Sequence, residues 1–217
     1  MTVQISTFAW VPPVAQGLVR DLRVRWALEE ARLRYEERPI RLGKHAAPEY
    51  VALQPFGQIP AYQEDGLTLF ESGAIVLHIA ERCETLLPAD PKRRARAKTW
   101  MFAALNTVEP PIMFLNWLQQ MNTSEGNAVQ KPVIEWVQRR LHSLANWLND
   151  RAYLDDQFTA ADLLMTTVLR ILRTTDLVSA ASVLKAYQTR CESRPAFQKA
   201  LGAQMAAFQN SEPAHQR

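Results

Sequence analysis

Apolar residues fall at Val3, Ile5 and Phe8 in TVQISTFAW, an imperfect period of two over a β-rich run, which predicts a strand across Thr2–Trp10. The period then changes. From Gln16 to Leu33, Leu18, Leu22, Val24, Trp26, Leu28 and Ala31 share one broad helical face. The same pattern sets Arg20, Asp21, Arg23, Arg25, Glu29 and Glu30 on the solvent side. YEERPIRL (Tyr35–Leu42) reads as a second strand, and Pro39 marks it as an edge because proline cannot donate to a ladder. PEYVALQP is a short helix that ends near Gln54, since Pro55 disfavours a helical residue before it. IPAYQEDGLTLF is a hairpin turning at Glu64-Asp65-Gly66, and Ser72, a good N-cap residue, opens the apolar helix SGAIVLHIAERC.

Two prolines make TLLPADP (Thr85–Pro91) a linker, and every later pattern is helical. Pro91–Met121 is one long helix or a pair kinked at Glu109-Pro110-Pro111, where two donors are missing. Helices follow over Val129–Asp150, Thr159–Thr174, Ala180–Cys191 and Pro195–Phe208, with a frayed tail after them. The order β-α-β-α-β-β-α, then helices only, predicts a four-stranded mixed sheet built on one right-handed βαβ unit, followed by an all-α bundle. The expected boundaries are 1–84 for the α/β domain, 85–91 for the linker and 92–217 for the helical domain.

Composition narrows the classes. With 217 residues and 47% hydrophobic, the chain can bury a substantial core. The formal charge of +3 is spread out, and the one dense basic run, KRRARAK, opens a helix as a solvated face, so no nucleic-acid partner is expected. Cys83 and Cys191 are far apart and form no CxxC pair, so neither a disulfide scaffold nor a structural metal site is expected. No apolar run approaches the roughly 20 residues of a membrane span, and Met1–Ile5 has no leader character. The expected setting is the reducing cytoplasm, without a membrane.

Three motifs carry chemistry. In FGQIPAY, a cis bond before Pro60 would leave the Ile59 N–H and C=O facing outward for an extended peptide ligand; an ordinary trans proline at a strand start is the alternative. In FESGAIVLHIAE, the helix N-terminus and Ser72 hydroxyl suit a carboxylate, and Glu71 suits an ammonium group. Together these match the end of an amino acid; a plain capped helix is the alternative. In FTAADLLM, Thr159 and Asp162 form a capping box with Phe158 as its apolar staple, a folding device.

Taken in order, RVRWALEE, PFGQIPAY, LFESGAIVLHIAE, the proline linker, NTVEPPI, FTAAD and RPAF closely resemble the cytosolic glutathione transferase superfamily over roughly Val3–Leu201. The resemblance implies a thioredoxin-like N-terminal domain, an all-helical C-terminal domain, a homodimer, and glutathione as co-substrate without a metal. It implies that Ile59, before a cis Pro60, holds the cysteinyl part of glutathione. Glu71 and Ser72 take the γ-glutamyl end, and Gln58 stands where plant-type members place a glutathione-contacting Gln. His45 keeps one position of a basic pair that meets the glycine carboxylate in those members. Ala46 replaces the other, with Lys44 or Arg41 as substitutes, and a solvated surface His45 is the alternative. Phe56 stands where some relatives insert an aromatic key into the partner subunit.

The departure is WVPPVAQG (Trp10–Gly17). Members usually carry a Tyr, Ser or Cys there to stabilise the thiolate, and this stretch has none. Lowering a thiol pKa by two units takes about 2.7 kcal/mol of preferential thiolate stabilisation. The side-chain donors left in the loop are the Gln16 amide and the Trp10 indole, with Arg20 a turn further on; N–H groups of the helix start near Ala15–Leu18 are expected to assist. PVAQG is also similar to the P-T-P-N-G loop of a bacterial subgroup with disulfide-bond reductase activity, which points to Gln16; a solvent-facing Gln is the alternative. A small apolar electrophile is expected between the domains, against Trp10, Val11, Pro12, Met101, Leu105, Met113, Phe114 and Trp117, with core packing the alternative for each. The leading function is conjugation or reduction of that electrophile with glutathione. Glutathione-dependent disulfide or peroxide reduction, and a non-catalytic binding or stress-adaptor role, are the competing readings.

Overall fold

The structure, a computed structural model, describes residues 2–121 and 124–211, and of 124–128 the backbone alone. The chain divides into two compact units, one of Met1–Leu86 and Arg194–Arg217, the other of Leu87–Ser193. The sequence pattern assigns 92–217 to a single helical domain; in the structure the last helix joins the first unit. Most of the expected frayed tail, 212–217, lies outside the described residues.

The first unit follows the expected order. It holds β1 (Val3–Phe8), α1 (Asp21–Glu30), β2 (Tyr35–Ile40), α2 (Pro48–Val51), β3 (Tyr62–Glu64), β4 (Leu67–Leu69) and α3 (Ser72–Ala80). The strands form one mixed sheet in the order β2-β1-β3-β4. β1 and β2 are parallel, with Thr7 opposite Pro39, so the proline does sit on an edge strand. β1–β3 and β3–β4 are antiparallel, with Ile5 opposite Tyr62 and Tyr62 opposite Leu69. The end where β1 finishes is therefore the end where β3 begins and β4 finishes.

α1 departs from expectation in two ways. It begins at Asp21 rather than Gln16, because the segment before it is a run of turns. And its polar side is buried: Asp21 and Arg25 are 1% exposed and Arg23 3%. Arg25 donates to Asp21 (2.6 Å) and through both terminal nitrogens to Glu37 on β2. The far oxygen of Asp21 accepts from Gln204 (2.8 Å) on the last helix of the chain, Pro195–Asn210. That helix also sets Phe197 edge-on against Trp26, and Arg194 pairs with Glu30. A buried charge is tolerated only when paired and hydrogen-bonded, and these partners supply that requirement. The helical pattern sets these residues in solvent because, apart from the Asp21–Arg25 pair itself, their partners lie outside the helix in sequence.

The second unit holds α4 (Pro91–Ala103), α5 (Glu109–Met121), α6 (Ser124–Leu148), α7 (Ala160–Leu169) and α8 (Ser182–Glu192); the last helix of the chain is α9. The expected irregularity near Pro110-Pro111 takes the form of a π-helical turn over Ala104–Val108, just before the prolines. Two prolines cannot donate back, so the turn preceding them rearranges. α7 is buried along its whole length, and its start is the capping box read from the sequence. Asp162, fully buried, accepts from Leu154 N (2.9 Å), Thr159 N (2.9 Å) and the Tyr187 hydroxyl (3.0 Å). It thus joins the loop before α7 to α8.

Asp162→Ala removes the acceptor for four buried donors, the Thr159 hydroxyl (3.2 Å) being the fourth. Each buried donor left unpaired costs about 1–3 kcal/mol. The variant should lose at least about 3 kcal/mol in urea denaturation, and a loss below about 1 kcal/mol would contradict this role for Asp162.

Candidate functional site

The end of the sheet where β1 finishes gathers the chemistry-bearing segments of the first unit. The loop Trp10–Gly17 leaves β1 there, and Ile59-Pro60 enters β3 there. The register Tyr62↔Leu69, continued outward, brings Pro60 and Glu71 to this same end. The Ile59–Pro60 peptide bond is cis. Ile59 precedes β3 and stands outside the ladder, so its main chain is not committed to a strand partner. The residue as a whole is 6% exposed, and its side chain packs with Tyr50 and Ala61, over Phe8, Ile40 and Leu53.

Glu71 has φ 67° and ψ 112°, a backbone region that costs a non-glycine residue of order 1–3 kcal/mol and recurs at ligand sites. The result is an exposed carboxylate at the start of α3. Ser72 is the first helical residue rather than a side-chain cap. Its buried hydroxyl accepts from the Arg23 guanidinium at 3.2 Å, which leaves the hydroxyl hydrogen to be donated elsewhere. The sequence pattern sets Arg23 in solvent; no local signal connects it to a helix start 49 positions away.

His45 is half-buried in a single 3₁₀ turn, Lys44–Ala46. Its Nδ1 accepts from the Gly43 N–H at 3.1 Å, and its ring stands edge-on to Phe8. With Nδ1 an acceptor, the ring proton belongs on Nε2, which is then the donor. Gly57 has φ 60°, and a Cβ there would stand 2.9 Å from the His45 carbonyl oxygen. Only glycine lets the His45 turn lie against the segment leading to Gln58, which is itself exposed.

The loop Trp10–Gly17 does not offer what was expected of it. Ala15 N donates to Pro12 O (2.8 Å), Gln16 N to Pro13 O (3.3 Å) and Leu18 N to Ala15 O (3.0 Å). The start of α1 therefore does not present these N–H groups to a ligand, and the helix proper opens later, at Asp21. The Gln16 amide donates to Val11 O at 3.1 Å and so closes the loop on itself. Trp10 is half-buried. Of the expected electrophile wall, Val11 and Pro12 lie in this loop, one buried and one exposed. The others belong to the second unit: Met101 on α4, buried; Leu105 in the π-turn and Met113 on α5, half-buried; and Phe114 and Trp117 on α5, exposed and stacked on each other.

Neither cysteine stands in for the missing group. Cys191 is fully buried, and burial pushes its thiol up to about 12. Cys83 follows α3 and sits 3.8 Å from the Glu30 carbonyl. Among the described residues there is no cluster of three or more metal-ligating side chains.

Comparison with known proteins matches residues 16–81 to the glutathione S-transferase N-terminal domain and residues 108–195 to the glutathione S-transferase C-terminal domain. Glutathione S-transferase 3 of Zea mays is 31% identical over 198 residues, covering 84% of this chain and 88% of that protein. Glutathione transferase F7 of Populus trichocarpa superposes with a TM-score of 0.81 at 28% identity, over 94% of this chain and 99% of that one. A glutathione S-transferase-I solved with lactoylglutathione superposes with a TM-score of 0.78 at 25% identity, over 93% of this chain and 99% of that one. Matched in both halves and over most of its length, the chain belongs to the glutathione S-transferase family.

Proposed function

We propose that the protein binds glutathione at the β1 end of its first unit and conjugates it through its sulfur to, or uses it to reduce, a small apolar electrophile. The observation that carries the reading is the Ile59 main chain, turned out of the ladder beside cis Pro60, at the same sheet end as Glu71 and Ser72. The residues fit the molecule group by group. Ile59 N–H and C=O match a peptide unit, the start of α3 with Ser72 matches a carboxylate, and Glu71 matches the amine on the same carbon. His45 Nε2, with Lys44 or Arg41 beside it in sequence, is the donor for the glycine carboxylate, and the exposed Gln58 is a further glutathione contact. For the second substrate, whose identity the family leaves open, the exposed apolar candidates are Phe114 and Trp117 of α5.

Thiol activation falls to Gln16 and Trp10, the loop's side-chain donors. A second reading, glutathione-dependent reduction of disulfides or peroxides, is favoured by the absence of any hydroxyl in WVPPVAQG and by its PVAQG segment. The same absence motivates a non-catalytic glutathione-binding role. Turnover of a model disulfide, a hydroperoxide and an aryl halide separates the three. Phe56, 69% exposed and edge-on to Phe70, is an apolar projection suited to a homodimer contact. We also place the protein in the cytoplasm as a detoxifying enzyme. Both cysteines are free, and among the described residues no helix is long and apolar enough to cross a membrane.

The protein should be retained on immobilised glutathione, and bound glutathione should show thiolate absorbance at neutral pH; failure of both would remove the reading. Ser72→Ala should weaken glutathione binding about 10-fold or more in calorimetry, the size of a lost charge-assisted hydrogen bond. Gln16→Ala should raise the pH of half-maximal turnover and lower kcat/KM about 10-fold, within the range for a single transition-state donor. An unchanged pH profile would shift the role to Trp10.

A further inference from the structure

Behind the Ile59-Pro60 segment runs a chain of buried hydroxyls that the sequence did not reveal. Ser6 on β1 is 4% exposed and Tyr50 on α2 is 3% exposed. Ser6 Oγ lies 2.7 Å from Tyr50 Oη, and Tyr50 Oη lies 2.7 Å from the carbonyl oxygen of Gln58. The Ala61 N–H donates to Ser6 Oγ at 2.6 Å, and the Ser6 N–H donates to Ala61 O at 2.9 Å.

Donor and acceptor counting fixes every proton. A carbonyl has none to give, so the single hydrogen of Tyr50 goes to Gln58 O. Ser6 must then donate into Tyr50, since its other acceptor, Ala61 O, is at 3.4 Å. The order is Ala61 N–H to Ser6 O–H to Tyr50 O–H to Gln58 C=O, all in one direction. Such a chain polarises and strengthens itself in a low-dielectric core. Burial pushes the Tyr50 hydroxyl above its ordinary range, so it remains a donor.

The chain grips the main chain on both sides of Ile59-Pro60, at the carbonyl of residue 58 and the amide of residue 61. The first grip has a geometric consequence. Gln58 C=O and Ile59 N–H belong to one planar unit, and the only cis bond among the described residues is the next one along. In a trans peptide these two groups point in opposite directions. Holding Gln58 C=O inward against Tyr50 therefore turns Ile59 N–H outward.

We infer that Tyr50, backed by Ser6, is a positioning residue for ligand binding, acting through the Gln58–Ile59 peptide plane to aim the Ile59 N–H. The inference rests on the reading that this N–H receives the cysteinyl carbonyl of glutathione. It assigns Tyr50 an effect on glutathione affinity rather than on the chemical step or on the electrophile.

Tyr50→Phe keeps the ring that packs on Ile59 and removes only the hydroxyl. Calorimetry with glutathione should show a Kd about 5-fold to 10-fold higher, the size of one lost hydrogen bond. The KM for an aryl halide, and kcat at saturating glutathione, should stay within about 2-fold. Ser6→Ala, which removes the donor to Tyr50 but not the Tyr50–Gln58 bond, should give a smaller rise. In the ligand-free protein, amide exchange at Ile59 should change in Tyr50→Phe while exchange in α7, in the other unit, does not. That pattern separates local repositioning from general loss of stability. If wild type binds glutathione and Tyr50→Phe binds it equally tightly, the inference fails and the functional reading stands. If wild type does not bind glutathione, both fail. A parallel rise in exchange across the protein would reduce Tyr50 to a stability residue and overturn the inference.

Discussion

The first unit is organised by the buried polar face of α1. A ten-residue helix carrying Asp21, Arg23 and Arg25 in the interior is stable only if every charge finds its partner; Asp21 and Arg25 pair within the helix, and the further partners lie on three other elements. Arg25 meets Glu37 on β2, Arg23 meets Ser72 at the start of α3, and Asp21 meets Gln204 on α9. An apolar face tolerates sliding; three directional contacts do not. The rotation and axial position of α1 are fixed against the sheet, and with them the height at which Ser72 sits. The net energy of such pairs relative to a well-packed apolar face is often near zero, so their contribution here is register rather than gross stability.

The same logic of indirect placement runs through the candidate site. Few of its groups are held by their own neighbours in sequence. Ser72 is set by Arg23, and the His45 turn is allowed close to the Gln58 segment by the missing side chain of Gly57. The opening loop is the exception. It closes on itself through Gln16 and its own turns, so its polar groups are largely used internally. Members of the family that carry a hydroxyl or thiol here have a group aimed at the ligand, whereas this loop presents mainly valine and proline.

What could be read from the sequence was what is local. The βαβ unit, the hairpin at Asp65-Gly66, the edge position of Pro39 and the capping box at Thr159 depend on residues a few positions apart, and the structure contains all of them. The FGQIPAY and FESG segments were legible as candidate ligand contacts for the same reason. What was not legible depends on pairing across the fold. Asp21, Arg23 and Arg25 looked like a solvated face because their partners are up to 183 residues away. Nothing local marks Tyr50 or Ser6, which meet across 44 positions. The start of α1 was placed too early because Gln16–Val19 continues the helical period, although the Pro12-Pro13 turns and Gly17, at φ 74°, keep the backbone out of a helix.

The return of α9 to the first unit bears on how the chain is made. Synthesis delivers the sheet and α1 first, yet Gln204 and Phe197, which cover Asp21 and Trp26, are produced more than a hundred residues later. Until then Asp21 lacks its Gln204 donor and the Trp26 ring lacks its Phe197 cover. Closure of the first unit must wait for the helical unit to leave the ribosome, which makes the last helix the latch of the first-made half.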